Sequence, residues 1–142
     1  FFIIKPRFFD IGFVFFIGFS MNSCAVATSV AHVSKNIITV GCNDDDIAVA
    51  VNAIKDSKGG IAVVENGKIK ALLELPIAGL MSDEPLTTVN EKLENAKLSA
   101  YELGADKSID PFMTLSFLSL PVIPSLRITT KGVFDAENWK ML

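Results

Sequence analysis

The sequence predicts an α+β domain in which a mixed, largely antiparallel sheet packs with two to three helices. Strand-like and helix-like segments alternate along the 142 residues, and no low-complexity linker divides them. One pair of strand-like segments flanks Asn66-Gly67, the dipeptide typical of a tight type I′ hairpin turn. The length is that of one domain, and a two-layer or a three-layer arrangement is compatible with it.

Composition and charge exclude some classes of function. Half of the residues are hydrophobic and the formal net charge is −3, so the chain has no basic footprint and we expect no nucleic-acid partner. Cys24 and Cys42 are the only cysteines, which gives no disulfide framework; we interpret them as small apolar residues in or beside strands. One histidine and two distant cysteines do not make a closed zinc site.

The N-terminal 21 residues contain eight of the eleven phenylalanines. Two interpretations of their spacing stay open. One is a signal peptide, with Lys5 and Arg7 before the apolar run and Ala25-Val26-Ala27 as a cleavage site. The other is a pair of buried strands, Phe8–Phe15 and Phe16–Met21. A membrane span is the least favoured, because the strongly apolar run is shorter than the ~20 residues required.

The remaining elements follow from local signals. Residues 24–33 and 37–40 predict two strands joined by the polar turn Ser34-Lys35-Asn36. Asn43 and the three aspartates after it predict the capped start of a helix, which Gly59-Gly60 ends. We divide the chain into an apolar lead-in, residues 1–21, which forms strands under the second interpretation, and an α+β domain, residues 22–142.

The second half predicts two more helices and a last strand. Apolar residues at spacings of four and three from Val89 to Leu103 indicate a long amphipathic helix, for which Ser82 and Asp83 can provide the cap. Asp110-Pro111 begins a short apolar helix. Leu126–Thr130 is typical of a short strand.

His32, the only histidine, is the first candidate for acid–base or metal chemistry. Ser29, Ser34 and Asn36 are its neighbours in sequence and can orient a ligand, although they equally make an ordinary turn. A lone histidine at a strand end is more often a hydrogen-bonded structural residue than a catalyst.

Acidic residues give further candidates. Asp44–Asp46 lacks the oxygen spacing of an EF-hand loop, so helix capping explains it better than calcium binding. Asp83 is a substrate-proximal candidate next to Glu84, but adjacent residues do not face each other on a helix, which weakens a paired acid–base role. No P-loop, G-x-G-x-x-G or G-x-S-x-G pattern occurs in the sequence.

Three long stretches, in order and with fitting spacing, resemble the C-terminal domain of bacterial adenine deaminases, members of the amidohydrolase superfamily. They are TSVAHVSKNIITVGCNDDD (28–46), PIAGLMSDEP (76–85) and DPFMTLSFLSLPVIP (110–124). The segment GFVFFIGFSMNSCAVATSVAH (12–32) is similar to the family's lead-in, so the resemblance extends over roughly residues 7–142. It favours strands over a signal peptide at the N-terminus.

The resemblance implies a cytoplasmic purine-salvage enzyme that hydrolyses adenine to hypoxanthine and ammonia. The nucleophile would be hydroxide activated by a divalent metal, manganese or iron, held in an N-terminal (β/α)₈ barrel. That barrel is not in this sequence, so the resemblance implies no metal bound by this chain alone and no activity in isolation. Its role would be to pack on the barrel, to cover the active-site face, or to support a homo-oligomer, with no membrane involved.

One departure from the family is informative. Where the family pattern resembles His-Asp-Ser-His-Asn, this chain has His32-Val33-Ser34-Lys35-Asn36. The sequence as a whole leaves three hypotheses. The three stretches favour the C-terminal domain of an adenine deaminase. The departure at Val33 and Lys35 and the absent barrel favour a catalytically silent interaction or purine-binding module left from such an enzyme. The basic and apolar N-terminus favours a secreted or membrane-tethered small protein. Because the chain begins with Phe1, we expect it to be part of a longer protein or a trimmed form.

Overall fold

A computed structural model describes residues 2–4, 11–14, 19, 21–31 and 36–142. These residues form three helices and two antiparallel sheets, which confirms the α+β class. The strands of the larger sheet are β1 (Phe2–Ile4), β2 (Ile11–Phe13), β3 (Cys24–Thr28), β4 (Ile37–Gly41), β5 (Gly60–Glu65) and β6 (Lys68–Glu74). The helices are α1 (Asp44–Asp56), α2 (Leu86–Glu102) and α3 (Pro111–Leu118), and the smaller sheet contains β7 (Leu126–Thr129), β8 (Gly132–Asp135) and β9 (Lys140–Met141).

The larger sheet has the order β2-β1-β4-β3-β5-β6, with every described pair antiparallel. Helices cover both of its faces, so the domain has three layers. Along β3, Ala25 and Ala27 pack in the cluster that contains α1, whereas Val26 packs in the cluster that contains α2 and α3. Because β3 is buried on both faces, its side chains are apolar at successive positions and do not alternate with polar ones.

Helix α1 begins as the sequence predicts. The Asn43 side-chain Oδ1 accepts a 2.7 Å hydrogen bond from the Asp46 N–H, and three aspartates occupy the first turn. At the other end Lys58, with φ +62°, takes the left-handed position, while the Gly59 N–H donates to the Ile54 carbonyl at 2.8 Å. The predicted stop at Gly59-Gly60 is thus correct in place, but a lysine makes the left-handed turn.

The hairpin of β5 and β6 is confirmed. Asn66 and Gly67 both have positive φ, +51° and +72°, as a type I′ turn requires. The register shifts between Val63 and Val64, a bulge that leaves one extra residue on β6.

The predicted start of α2 is wrong in one detail. Pro85 occupies the N-cap position without a side-chain hydrogen bond, so neither Ser82 nor Asp83 caps the helix. The buried face of α2 is as predicted, with Ala96 and Ala100 fully covered. The start of α3 is also confirmed, because the Asp110 carboxylate accepts hydrogen bonds from the next two free N–H groups of that helix.

The C-terminal residues form more structure than the sequence predicts. The predicted strand is β7, and β8 and β9 extend it into a three-stranded sheet. Gly12 of β2 lies against this sheet: a Cβ there would be 2.1 Å from the Thr129 carbonyl oxygen. Only glycine permits this approach of the two backbones.

The lead-in is described in part. Ile11–Phe13 of the predicted strand Phe8–Phe15 forms β2, which pairs with β1, and β1 pairs with β4. Most of the predicted strand Phe16–Met21 lies outside the described residues, and the division of the chain after residue 21 stays a prediction. No helix within the described ranges is both long and apolar enough to cross a membrane.

Candidate functional site

The site is organised around Ser29, which directly follows β3. Its Oγ donates a 2.6 Å hydrogen bond to the Gly79 carbonyl and accepts one of 2.8 Å from the Gly60 N–H. The Ser29 N–H also donates to the Gly60 carbonyl at 2.9 Å. One buried hydroxyl thereby connects the end of β3, the start of β5 and the segment after β6. Because its hydrogen-bonding capacity is used by backbone groups, Ser29 acts as a positioning residue and not as a free nucleophile.

Glycines allow these three segments to approach closely. A Cβ at Gly59, where φ is +136°, would lie 2.3 Å from the Gly79 Cα. Gly79 itself has φ +72°, in the left-handed region that costs other residues roughly 1–2 kcal/mol. The contact between the two segments therefore depends on residues without side chains.

A cavity of about 210 Å³ opens beside this junction. Ile37 and Ile54 supply apolar surface, and two exposed lysines, Lys55 and Lys58, also line the cavity. The lining is Ser29, Ile37, Ile54, Lys55, Lys58, Gly59, Ala78 and Gly79. Such a cavity suits an apolar group with negative charge beside it, because the lysines would pair with that charge.

The structure places the sequence-predicted site residues differently. Ser29 is at the centre of the site, and Asn36 is buried directly before Ile37 of the cavity lining. Asp83 is exposed and lines neither of these two cavities, and its proximity to a substrate stays a prediction. His32 and Ser34 lie outside the described residues, and their roles stay predictions.

A second cavity, of about 350 Å³, lies between the sheet and helices α2 and α3. Its lining is mainly apolar, with an ion pair between Lys97 Nζ and Asp110 Oδ2 at 3.1 Å. The Asp110 side chain raises the pKa of Lys97 by hydrogen bonding. Burial alone would raise the pKa of Asp110, but hydrogen bonds from the N–H groups of Met113 and Phe112 and from Lys97 outweigh it, and the pKa is lowered. Both groups therefore stay charged and pair with each other.

In the described part of the chain, no group of three or more His, Cys, Asp or Glu side chains is arranged to hold a metal ion. Cys24 is buried, and burial is the main cause that raises the pKa of its thiol to about 11. Cys42 is a free, exposed thiol.

Sequence reasoning missed most of the cavity. It interpreted Gly59-Gly60 only as a helix stop and Ala78-Gly79 only as irregular chain, and it gave Lys55 and Lys58 no role. The available signal was the pair of glycine-containing segments, since glycine often marks a close approach of two backbones. Only the tertiary structure shows which two segments meet there.

The comparisons with known proteins agree with the earlier resemblance. Residues 7–140 match the family model described as "Adenine deaminase C-terminal domain". The chain belongs to this family. It is 48% identical over 125 residues to the adenine deaminase of Bacillus pumilus, and 52% identical over 128 residues to that of Desulfatibacillum aliphaticivorans.

These relatives are much longer than the chain. The Bacillus pumilus match covers 88% of this chain and 22% of the relative, and the Desulfatibacillum aliphaticivorans match covers 90% and 22%. The adenine deaminase of Moorella thermoacetica is 46% identical over 133 residues, which are 94% of this chain and 22% of that protein. The chain thus spans about a fifth of the length of the curated relatives it matches.

Proposed function

We propose that this chain works as the C-terminal domain of an adenine deaminase, an enzyme that hydrolyses adenine to hypoxanthine and ammonia. The observation that carries the proposal is the family match over residues 7–140, together with relatives of about 50% identity that are named adenine deaminase. The proposal includes a cytoplasmic location and a role in purine salvage.

Within such an enzyme, catalysis would belong to an N-terminal barrel. A divalent metal there, manganese or iron, supplies a hydroxide nucleophile near neutral pH. This chain's part is positional. The hydrogen bond from Ser29 to Gly79 holds two of the family-like stretches, residues 28–46 and 76–85, next to each other. We propose that this face of the domain meets the barrel.

A hybrid enzyme tests the proposal. The N-terminal part of the Bacillus pumilus adenine deaminase is joined to this whole chain, which replaces the matching C-terminal stretch. We expect the hybrid to release ammonia from adenine, and the isolated chain to release none. The intact relative and the same N-terminal part without this chain are the controls.

A second hybrid carries Val33→Asp and Lys35→His, which restore the family-like pattern at these positions. If only this second hybrid releases ammonia, the two departures caused the loss of activity, and the proposal for the domain itself stands. If both hybrids fold and load metal but release no ammonia, this chain is not a working deaminase domain. Binding of adenine by the isolated chain, measured by calorimetry, would then favour the purine-binding module.

A further inference from the structure

We propose that the segment Ile77–Met81, here called the docking loop, is the surface through which this domain packs on the N-terminal part of the longer enzyme. The inference rests on the proposed function and names the contact that this function requires. The loop lies between β6 and α2, beside the cavity of about 210 Å³.

The docking loop exposes three large apolar side chains within five residues. Ile77, Leu80 and Met81 are 45%, 40% and 58% exposed. Single exposed apolar residues are ordinary on protein surfaces, whereas contiguous ones mark sites of interaction. Covering these side chains with a partner surface is favourable, because it removes apolar area from water.

The loop is also held in one shape before any partner binds. Ile77 and Met81 exchange backbone hydrogen bonds of 3.0 and 3.1 Å, which close the loop into a tight turn. Inside the turn, Ala78 and Gly79 have positive φ, +58° and +72°. The Ser29 hydroxyl donates a hydrogen bond to the Gly79 carbonyl and so holds the turn in place. Because the loop is already ordered, it loses less conformational entropy when a partner binds than a flexible loop would lose.

Two lysines lie beside the docking loop, on the side of the cavity. Lys55 and Lys58 line the adjoining cavity together with Ala78 and Gly79 of the loop, and neither lysine forms an ion pair with any described residue. The partner surface is therefore expected to be apolar opposite the loop and acidic opposite the lysines.

The attached N-terminal part is the occupant that fits these observations best. In the relatives, the matched region is about 22% of the protein, so most of the enzyme lies outside the region that this chain matches. A covalently attached neighbour is present at an effective concentration that a second, free copy of the chain does not reach. An exposed apolar loop would consequently meet the attached part first.

The test compares Ile77→Glu and Met81→Glu with the matched control Leu98→Glu, which changes a 60% exposed leucine of α2 outside the loop. In the isolated chain, all three variants should keep the melting temperature of the parent, since these side chains are exposed. In the hybrid with the Bacillus pumilus N-terminal part, the two loop variants should lower the melting temperature, and each should reduce ammonia release by about tenfold or more. Leu98→Glu should change neither.

Hydrogen exchange makes the test independent of activity. If the inference holds, the amides of residues 77–81 exchange more slowly in the hybrid than in the isolated chain, even in a hybrid that releases no ammonia. An inactive hybrid with a protected loop would contradict the proposed function and keep the inference. An active hybrid in which the loop variants behave like Leu98→Glu would support the proposed function and contradict the inference. An isolated chain that sediments as a dimer, and as a monomer after Ile77→Glu, would overturn the inference by assigning the loop to a second copy.

Discussion

The Asp46 carboxylate accepts a 2.6 Å hydrogen bond from the backbone N–H of Gly67, so the first turn of α1 is connected to the hairpin turn of β5 and β6. The other carboxylate oxygen accepts a 2.9 Å hydrogen bond from the Asn43 side chain. Burial by itself would raise the pKa of Asp46, but hydrogen bonds from Asn43, Gly67 and Asn66 outweigh it, and the pKa lies below its usual value. An aspartate predicted only to cap a helix thus joins two elements.

Removing this carboxylate should destabilise the domain. Asp46→Ala leaves the Gly67 N–H without its acceptor, and we expect a loss of about 1.5–3 kcal/mol in the free energy of unfolding at neutral pH. Urea unfolding measures it. The control is Asp45→Ala, an exposed aspartate in the same turn, which should lose less than about 1 kcal/mol. Equal losses in both variants would show that the bond to Gly67 contributes nothing.

The contribution of Asp46 should also depend on pH. Its folded-state pKa is lowered, so the stabilisation is complete above the unfolded value, about 3.9, and is lost as the pH falls through the folded value. The difference in unfolding free energy between the parent and Asp46→Ala is therefore expected to be constant from neutral pH down to about pH 5 and to shrink below about pH 4. Urea titrations at a series of pH values provide the measurement, and a difference that stays constant below pH 4 would disprove the assignment.

Ser29→Ala should lower the free energy of unfolding, because the Ser29 hydroxyl bridges distant backbone groups. The variant leaves the Gly60 N–H without the hydroxyl that now accepts its hydrogen bond, and a loss of about 1–3 kcal/mol is expected. Ser116→Ala is the matched control: this serine is also buried, but its hydroxyl donates only to the Met113 carbonyl of its own helix. We expect the control to lose less than about 0.5 kcal/mol of unfolding free energy, since serine is not favoured inside a helix. A Ser29→Ala loss as small as that of the control would contradict the role given to Ser29.

Two glycines with positive φ should respond differently to alanine. A Cβ at Gly67 meets nothing within 4 Å, so Gly67→Ala should cost only the backbone strain, roughly 1–2 kcal/mol. A Cβ at Gly59 would lie 2.3 Å from the Gly79 Cα, so Gly59→Ala adds a backbone clash to the strain. Its unfolding free energy should fall clearly further, or the variant should fail to fold. Similar values for the two variants would mean that the contact between Gly59 and Gly79 is loose.

Thiol labelling should distinguish the two cysteines. Burial raises the pKa of Cys24 to about 11, and its side chain is inaccessible, whereas Cys42 is exposed. Iodoacetamide reacts with thiolates, so the folded chain at pH 8 should take one label, on Cys42, and a second only after unfolding. Mass spectrometry of the peptides locates the labels. Rapid labelling of Cys24 in the folded state would show that the N-terminal end of β3 opens.

Parts of the candidate site were predictable and parts were not. Ser29 was named from the polar residues around His32, and the structure puts it at the junction of three segments. Asp83 was named as a substrate-proximal candidate; it is exposed and lines neither cavity, and its role stays a prediction. Lys55 and Lys58 gave no local signal, since two exposed lysines near a helix end are unremarkable until the fold brings a cavity next to them.

The sequence by itself determined the features that neighbouring residues control. The Asn66-Gly67 turn, the Asn43 cap and the Asp110 cap each depend on a preferred φ or on a hydrogen bond across two or three residues, so a short segment is sufficient to predict them. The α+β class follows from the order of such elements. Only the tertiary structure decided the three layers and the partners of Ser29, which lie 31 and 50 residues away in the sequence. The physical reason is that the Ser29 hydroxyl bonds to backbone groups, which every residue carries, so no side-chain pattern marks the positions that it will meet.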